Sequence, residues 1–462
     1  MNKQELSKKL LYTKKSVYEK TDAKRIEAAF DYAKGYAAYL DAAKTEREAV
    51  AVSIEMAQAK GFKPYTIGQP LQAGDKYYYN NRNKNLFLFV IGTEPIEHGI
   101  RINAAHIDSP RLDLKPCPVY EDGGMSFFKT HYYGGIRKYQ WVATPLSLHG
   151  VIVRNDGTPV TVNIGEDDND PVFYINDLLP HLGHETDKKP LGEAFPGEKL
   201  NILIGSRPYD GEAGSESIKL NTLALLYDKY GITEEDFLTA ELELVPAFKT
   251  RDIGFDRALI GAYGHDDRVC AYPALTAILA ENAPRSTLMC VLADKEETGS
   301  EGNTGMKSLL LLDLINEISL ALGGNPATVR NNSKCLSADV SCAYDPNFAD
   351  AFEKRNTPML SCGVVLTKYT GARGKSSTND ARAEYVGWLR GVMDRAGVVW
   401  QTGELGKVDG GGGGTVAKYI ANHNIETVDL GVPVISMHAP YEVVSKVDVY
   451  EAYLAFSAFS RA

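Results

Sequence analysis

The chain has 462 residues, and its hydrophobic content of 44% and charged content of 24% are those of an ordinary globular protein rather than a disordered or fibrous one. The formal net charge of -10 argues against nucleic acid as the main partner. The sequence has no apolar signal-peptide core, no stretch that could span a bilayer and no CxxC pair among its six cysteines. We therefore expect a cytoplasmic protein with reduced thiols and two domains.

The first predicted elements are helical. Spacing of Ala, Lys and Glu predicts two helices within residues 15–60. Two apolar strands follow, at residues 85–92 and 99–108, and a short turn joins them. Helices followed by buried strands are typical of an α/β sheet protein.

The predicted secondary structure changes in the middle of the chain. Short strands with hairpin signals occupy residues 117–250, where Asp156-Gly157 supplies one turn. Buried strands and helices alternate again from residue 258 to a terminal helix. This order predicts an α/β domain of residues 1–116 and 251–462, interrupted by an inserted β-rich domain of residues 117–250.

Several apolar strands end next to a residue that can bind a metal. In VLADKEETGSEG, residues 291–302, the apolar run is followed by adjacent carboxylates that repel each other, Glu296 and Glu297. The other such residues are His106, Asp266, Asp339 and His438. Because the carboxyl ends of parallel strands meet at one edge of a sheet, we expect these side chains to share one site.

This set of ligands indicates a particular chemistry. Two imidazoles and three carboxylates suit two divalent cations bridged by one carboxylate, most simply zinc, with manganese or cobalt as substitutes. If Glu297 binds a metal, Glu296 is free to accept the proton of a bridging water. Asp108 can accept the other ring N–H of His106 and fix its tautomer.

Each of these features also has a plain structural explanation. A histidine after a strand is often a core residue, and Asp266-Asp267 could simply cap the following helix. The five glycines at 410–414 lack the lysine of a phosphate-binding loop. We expect this loop instead to let the backbone at Gly411 and Gly412 approach a bound peptide.

Five stretches then carry a family resemblance: AAHIDSPRLDLKP, GHDDRVCAY, DKEETGSEG, SADVSCAYDPNF and VISMHAPYEVVSKVD. They resemble the successive motifs of the aspartyl aminopeptidase family of dinuclear zinc exopeptidases, most closely its bacterial members. The resemblance implies a zinc-peptidase-like mixed sheet flanked by helices, with an inserted β-rich domain used in dimer contacts. It also implies a homo-oligomer, in its full form a dodecamer.

The resemblance implies a role for each site residue. His106 and Asp339 would bind one metal, Glu297 and His438 would bind the other, and Asp266 would bridge both. Glu296 would be the general base, Asp108 would orient His106, and Asp267 would neighbour the ligands.

The predicted function is therefore a metallo-aminopeptidase that removes the first residue of short peptides. The resemblance also implies a preference for N-terminal Asp or Glu, which needs a cation in the pocket, and the candidates are Lys368, Arg373 and Lys375. Two alternatives stay open. One is another zinc hydrolase on the same scaffold, such as a carboxypeptidase or deacylase, and the other is a non-catalytic scaffold protein.

Overall fold

The computed structural model describes residues 1–210, 215–371 and 373–462, which form a mixed α/β fold. The helices are α1 (Lys3–Leu10), α2 (Val17–Lys20), α3 (Ala23–Ala42), α4 (Glu46–Ala59), α5 (His184–Asp187), α6 (Leu191–Ala194), α7 (Ser217–Tyr230), α8 (His265–Leu279), α9 (Leu310–Ala321), α10 (Pro326–Asn332), α11 (Ala383–Arg395), α12 (Ala417–Ala421) and α13 (Lys446–Ser460). The strands are β1 (Lys63–Pro64), β2 (Lys76–Asn81), β3 (Asn85–Val90), β4 (Ile100–His106), β5 (Arg111–Asp122), β6 (Met125–Tyr133), β7 (Leu146–Val153), β8 (Pro159–Ile164), β9 (Tyr174–Ile175), β10 (Ile202–Gly205), β11 (Glu241–Pro246), β12 (Arg251–Ile253), β13 (Leu259–Ala262), β14 (Thr287–Ala293), β15 (Lys334–Ser337), β16 (Ser341–Cys342), β17 (Val364–Thr367), β18 (Trp400–Thr402), β19 (Glu426–Gly431), β20 (Pro433–Ile435) and β21 (Glu442–Ser445).

The largest sheet has nine strands in the order β1-β2-β3-β14-β4-β15-β19-β17-β18. Its four central neighbours, β14, β4, β15 and β19, run parallel, whereas β3 and β17 join them antiparallel. Both faces of the sheet are covered by helices, with α3, α8 and α13 on one face and α9, α10 and α12 on the other. Burial on both faces explains why β3 and β14 are apolar throughout.

A second sheet has seven antiparallel strands in the order β8-β7-β11-β5-β6-β10-β9, and it has its own apolar core. The predicted hairpin is confirmed, because β7 and β8 pair across a turn in which Gly157 has φ of 82°. The sheet begins at Arg111, before the predicted boundary at residue 117, because β5 follows almost directly on β4. It ends at Pro246, within the predicted limit of residue 250.

Two features differ from the sequence prediction. The region 15–60 holds the two expected long helices, α3 and α4, but a single-turn helix, α2, precedes them. A third sheet of five strands, β12-β13-β21-β20-β16, was not predicted. Among the described residues, no helix combines the length and apolar character needed to cross a membrane.

Arg111, the first residue of β5, connects the seven-stranded sheet to α4 through buried ion pairs. Its Nη1 lies 3.2 Å from Oε2 of Glu46 in α4, and its Nη2 lies 3.2 Å from Oε1 of Glu243 in β11. Its Nε donates to Oδ1 of Asp113 at 2.8 Å. Glu46 and Glu243 are 0% and 3% exposed, so they depend on nearby cations for compensation.

We expect Arg111→Met to lower the free energy of unfolding by about 3–5 kcal/mol, because two buried carboxylates lose a cation. Chemical denaturation of the purified variant measures the loss. The matched control is Arg207→Met, since Arg207 is exposed and, among the residues that the structure describes, forms an ion pair only with Asp210, three residues along the chain. Equal stability of the two variants would contradict this role for Arg111.

Candidate metal centre

Three of the five predicted ligands lie at the carboxyl edge of the central parallel strands. His106 is the last residue of β4 and is in register with Ala293, the last residue of β14. Glu297 follows β14 after a turn in which Lys295 has φ of 63°. Asp339 lies two residues beyond the end of β15, the other parallel neighbour of β4. The expected convergence of parallel strand ends is therefore observed for these three.

The other two predicted ligands come from the five-stranded sheet. Asp266 lies in the first turn of α8, which follows β13, and His438 follows β20. The expectation that all five residues end strands of one parallel sheet is therefore wrong for this pair. They still reach the same site, because β13 and β20 both pair with β21 and bring the segments that follow them to the edge of the large sheet.

Asp266 lies at the centre of the cluster. Its Oδ1 is 3.1 Å from Nε2 of His106, and its Oδ2 is 3.1 Å from Nε2 of His438. Asp339 Oδ1 is 3.9 Å from the His106 ring nitrogen, and Glu297 Oε1 is 3.6 Å from that of His438. The structure thus brings all five residues together, as two groups that share one carboxylate.

Glu296 reaches the same space as the ligands. Its carboxylate lies close to two of the predicted ligands. Taking one potential ligand atom from each residue, the atoms of His106, Glu296 and Asp339 all lie within 4.8 Å of one another. The same limit holds for His106, Asp266 and Glu297. The carboxylate of Glu296 therefore lies beside the His106–Asp339 group.

Asp108 holds the two sides of this arrangement in place. Nδ1 of His106 lies 2.9 Å from the backbone carbonyl oxygen of Asp108 and 3.3 Å from its carboxylate, which leaves Nε2 facing the cluster. The backbone N–H groups of Glu296 and Glu297 donate to the Asp108 carboxylate at 3.1 and 3.2 Å. Tyr133 donates its hydroxyl to the same carboxylate at 2.8 Å.

Sequence reasoning missed two supporting residues. Tyr133 belongs to the motif YYGGI, and nothing in its residue type alone indicates the contact with Asp108. Glu442 accepts from the backbone N–H of His438 at 2.8 Å and from that of Asp266 at 3.1 Å, and its side chain is buried. The signal available in the sequence was an acidic residue four positions after His438.

Asp267, which was predicted to neighbour the ligands, is buried behind His106, and its Oδ2 lies 3.4 Å from the His106 backbone nitrogen.

The cluster gathers more negative charge than burial favours. Burial raises the pKa of Glu296 to about 7, and it raises the pKa of Glu297 and of Asp339 well above the usual range. Burial also acts on Asp266, but the hydrogen bonds and charges of His106 and His438 outweigh it and hold the pKa of Asp266 below its usual value. Bound cations would offset this repulsion.

The residues present fit a metal. Oδ1 of Asp266 and Oε1 of Glu297 are buried carboxylate oxygens without a hydrogen bond of good geometry. Such oxygens are costly to bury unless something positive binds them. The two imidazoles and the carboxylates form the nitrogen and oxygen donor set that zinc prefers.

Four of the five predicted ligands, Asp266, Glu297, Asp339 and His438, line a cavity of about 340 Å³ together with Glu296. Gly412, Gly413 and Gly414 line the cavity as expected for the glycine loop, whereas Gly411 is not part of the described lining.

The three expected substrate-binding cations lie elsewhere. Lys368 and Lys375 both pair with Asp380, at 3.3 and 2.9 Å, and Arg373 is exposed. None of the three is among the described residues that line the cavity. The positions of these three residues therefore do not support the prediction that they meet the substrate side chain, and Lys368 and Lys375 share the single carboxylate of Asp380.

Comparison with known proteins identifies the family. Residues 39–460 match the family model described as aminopeptidase I zinc metalloprotease (M18). The chain belongs to this M18 family. It is 47% identical over 458 residues to a probable M18 family aminopeptidase 1 of Clostridium acetobutylicum, covering 97% of this chain and 98% of the relative.

Solved structures agree with this assignment. The crystal structure of an M18 aminopeptidase from Thermotoga maritima has a TM-score of 0.93 and 43% identity, covering 98% of this chain and all of that one (100%). Aminopeptidase I from Clostridium acetobutylicum has a TM-score of 0.91 and 46% identity, again over 98% and 100%. A dodecameric mApe1 from S. cerevisiae shares the fold with a TM-score of 0.75 at 22% identity, over 93% and 96% of the two chains.

The family membership confirms the predicted class of enzyme. The protein is an M18 zinc aminopeptidase, a metallohydrolase that acts on peptide bonds. The predicted α/β fold with a mixed sheet flanked by helices is confirmed as well.

Proposed function

We propose that this aminopeptidase removes the first residue of short peptides with two divalent metal ions, most simply zinc, held by the cluster around Asp266. His106 and Asp339 would hold one ion, Glu297 and His438 the other, and Asp266 both. The main support for this proposal is the position of Asp266, whose two carboxylate oxygens lie 3.1 Å from Nε2 of His106 and 3.1 Å from Nε2 of His438. Manganese or cobalt would suit the same donors.

Zinc held there would supply Lewis acidity and lower the pKa of the attacking water. Glu296 takes the proton from that water and returns it to the leaving amine. Asp108 holds the Glu296 backbone in place for this transfer, and it keeps the His106 ring in the tautomer whose Nε2 faces the cluster. Backbone N–H groups of the loop at 412–414 are available to an oxyanion in the same cavity.

The charge of the cavity favours cleavage at the amino terminus. Beyond the metal-binding residues and Glu296, its lining includes the carboxylates Glu404 and Asp429, and its described lining residues include no lysine or arginine. A free substrate ammonium group is complementary to such a cavity, whereas a substrate C-terminal carboxylate would be repelled. This observation favours an aminopeptidase over a carboxypeptidase on the same scaffold.

The two adjacent glutamates should separate chemistry from metal binding. We expect Glu296→Gln to keep its zinc but to lose about 100-fold or more in kcat, because the proton acceptor is gone. We expect Glu297→Gln to lose zinc itself. Parallel measurements of metal content and turnover test both variants. Full activity in Glu296→Gln would remove it from the base role.

The lining of the cavity also bears on which side chain the enzyme prefers in the first residue of the substrate. Val340, Leu405 and Met437 give the cavity an apolar side, while Glu404 and Asp429 make it negative. We propose that neutral first residues are preferred over Asp and Glu, in contrast to the preference implied by the family resemblance. An acidic side chain would need a cation that the described lining does not provide.

A panel of aminoacyl substrates tests this preference. We expect kcat/KM for leucyl or alanyl substrates to exceed that for aspartyl or glutamyl ones by roughly tenfold, and amino-blocked substrates to resist cleavage. Lys368→Met should change no substrate by more than about twofold, since Lys368 pairs with Asp380 outside the cavity. Faster aspartyl cleavage that Lys368→Met weakens by about 1–3 kcal/mol would instead support the acidic preference.

The exposed face of α7 supports a homo-oligomer. Leu220 and Tyr227, seven residues apart and therefore on one face of this helix, are 54% and 58% exposed, which is unusual for neighbouring large apolar side chains. We propose that the predicted inserted domain makes contacts between copies through this face, within a dodecamer like that of the yeast mApe1 neighbour. All six cysteines are free, in keeping with the cytoplasmic location we propose.

Light scattering at micromolar concentration tests the assembly. We expect a mass well above that of a dimer for the wild type and a smaller particle for Leu220→Lys, because a buried lysine would oppose the contact. Leu309→Lys is the matched control, since Leu309 is also exposed, at 64%, but precedes α9 in another part of the fold. A monomeric wild type would contradict the proposal.

A further inference from the structure

A second, larger cavity opens at the opposite edge of the nine-stranded sheet from the metal centre. Its volume is about 880 Å³, and it lies where β4 and β15 begin. None of the predicted site residues lines it, and the aminopeptidase reaction does not use it.

The cavity carries an excess of basic side chains. Its lining includes five lysines and arginines but only three Asp or Glu side chains. The basic residues are Arg101, Arg285, Lys334, Arg382 and Arg461. Three of them already have a carboxylate: Arg285 pairs with Glu94, Arg382 with Glu426, and Arg461 with Glu281. Arg101 and Lys334 remain, and in the described parts of the chain neither forms an ion pair with an Asp or Glu side chain.

These two remaining cations are direct neighbours across the sheet. Arg101 of β4 and Lys334 of β15 are paired in the parallel register. Both lie over the Trp388 ring, with the Arg101 guanidinium 5.7 Å and the Lys334 ammonium 5.3 Å from its centre. Like charges at neighbouring cross-strand positions destabilise a sheet unless something negative lies between them.

The hydrogen-bonding state of Arg101 also indicates a missing partner. Its Nε donates to the main-chain oxygen of Ala462, the last residue of the sequence, at 3.2 Å, but its Nη1 is buried without any hydrogen bond. Buried guanidinium nitrogens are normally paired, and an unpaired one is costly. Burial, followed by the charge of Arg101, lowers the pKa of Lys334, so a bound anion would relieve both groups.

We propose that this cavity binds a small oxyanion group, a phosphate or a carboxylate, between Arg101 and Lys334. The planar guanidinium can take two oxygens of either group, and the ammonium adds a point charge. The site is separate from the catalytic one, since His106 lies at the other end of β4, about 16 Å away at roughly 3.3 Å per residue. The inference does not depend on the proposed peptide chemistry.

The test is equilibrium dialysis of the zinc-loaded protein with isotopically labelled phosphate or acetate, at an ionic strength held constant with chloride. We expect saturable binding of at least one of the two anions, weakened tenfold or more in Lys334→Gln and in Arg101→Gln. Anion bound at the metal centre is common to all variants, so the difference from wild type counts the second site. Lys334 is half-buried and carries no hydrogen bond in the described residues, so its variant tests the site even if Arg101→Gln fails to fold.

The matched control is Arg285→Gln, whose guanidinium lies in the same cavity but is already paired with Glu94. It should bind the anion as the wild type does. Binding of phosphate alone would identify a phosphorylated ligand, and binding of acetate alone would identify a carboxylate ligand. The proposal is overturned if neither anion binds the wild type, or if the wild type and Lys334→Gln bind equally.

Discussion

The structure depends on how a group of carboxylates is kept close together inside the protein. Asp266, Glu296, Glu297 and Asp339 lie close together around two imidazoles at the wall of a cavity, with Asp266 buried and the other three carboxylates partly buried. Without cations their repulsion would have to be relieved by proton uptake, which is why the pKa values of three of them are raised. Metal binding turns this unfavourable arrangement into a stabilising one, because folding and metal affinity become linked.

The geometry around the cluster is set by backbone contacts as much as by side chains. The Asp108 carboxylate accepts hydrogen bonds from the backbone N–H groups of Glu296 and Glu297. The Glu442 carboxylate accepts hydrogen bonds from the backbone N–H groups of Asp266 and His438. Each of these two buried acids therefore joins chain segments that are far apart in sequence. A change at either position would move several ligands together, which makes these supporting acids as important for the site as the ligands.

Much of this could be predicted from the sequence, for identifiable reasons. Apolar strands that end in His106, Glu297 and Asp339 are a local signal, and the rule for parallel strand ends supplies their convergence. Asp266 and His438 were identified by residue type and motif, but the five-stranded sheet is what positions them at the site. Its strands, such as β13 and β20, are too short to be predicted from hydrophobic periodicity. The contacts of Tyr133 and Glu442 are long-range, so no local pattern reports them. Lys368 and Lys375 were predicted to contact substrate from their position after a strand, and the local pattern did not reveal that both side chains contact Asp380 further along the chain.

The predicted ligands come from two different sheets, and this affects how the site forms as the chain folds. The nine-stranded sheet alone supplies only His106, Glu297 and Asp339, which is an incomplete set for either ion of the proposed pair. Asp266 and His438 join the site only through the segments after β13 and β20. On the proposed ligand assignment, tight zinc binding would require both sheets to have docked, and a half-folded chain would lack a complete site.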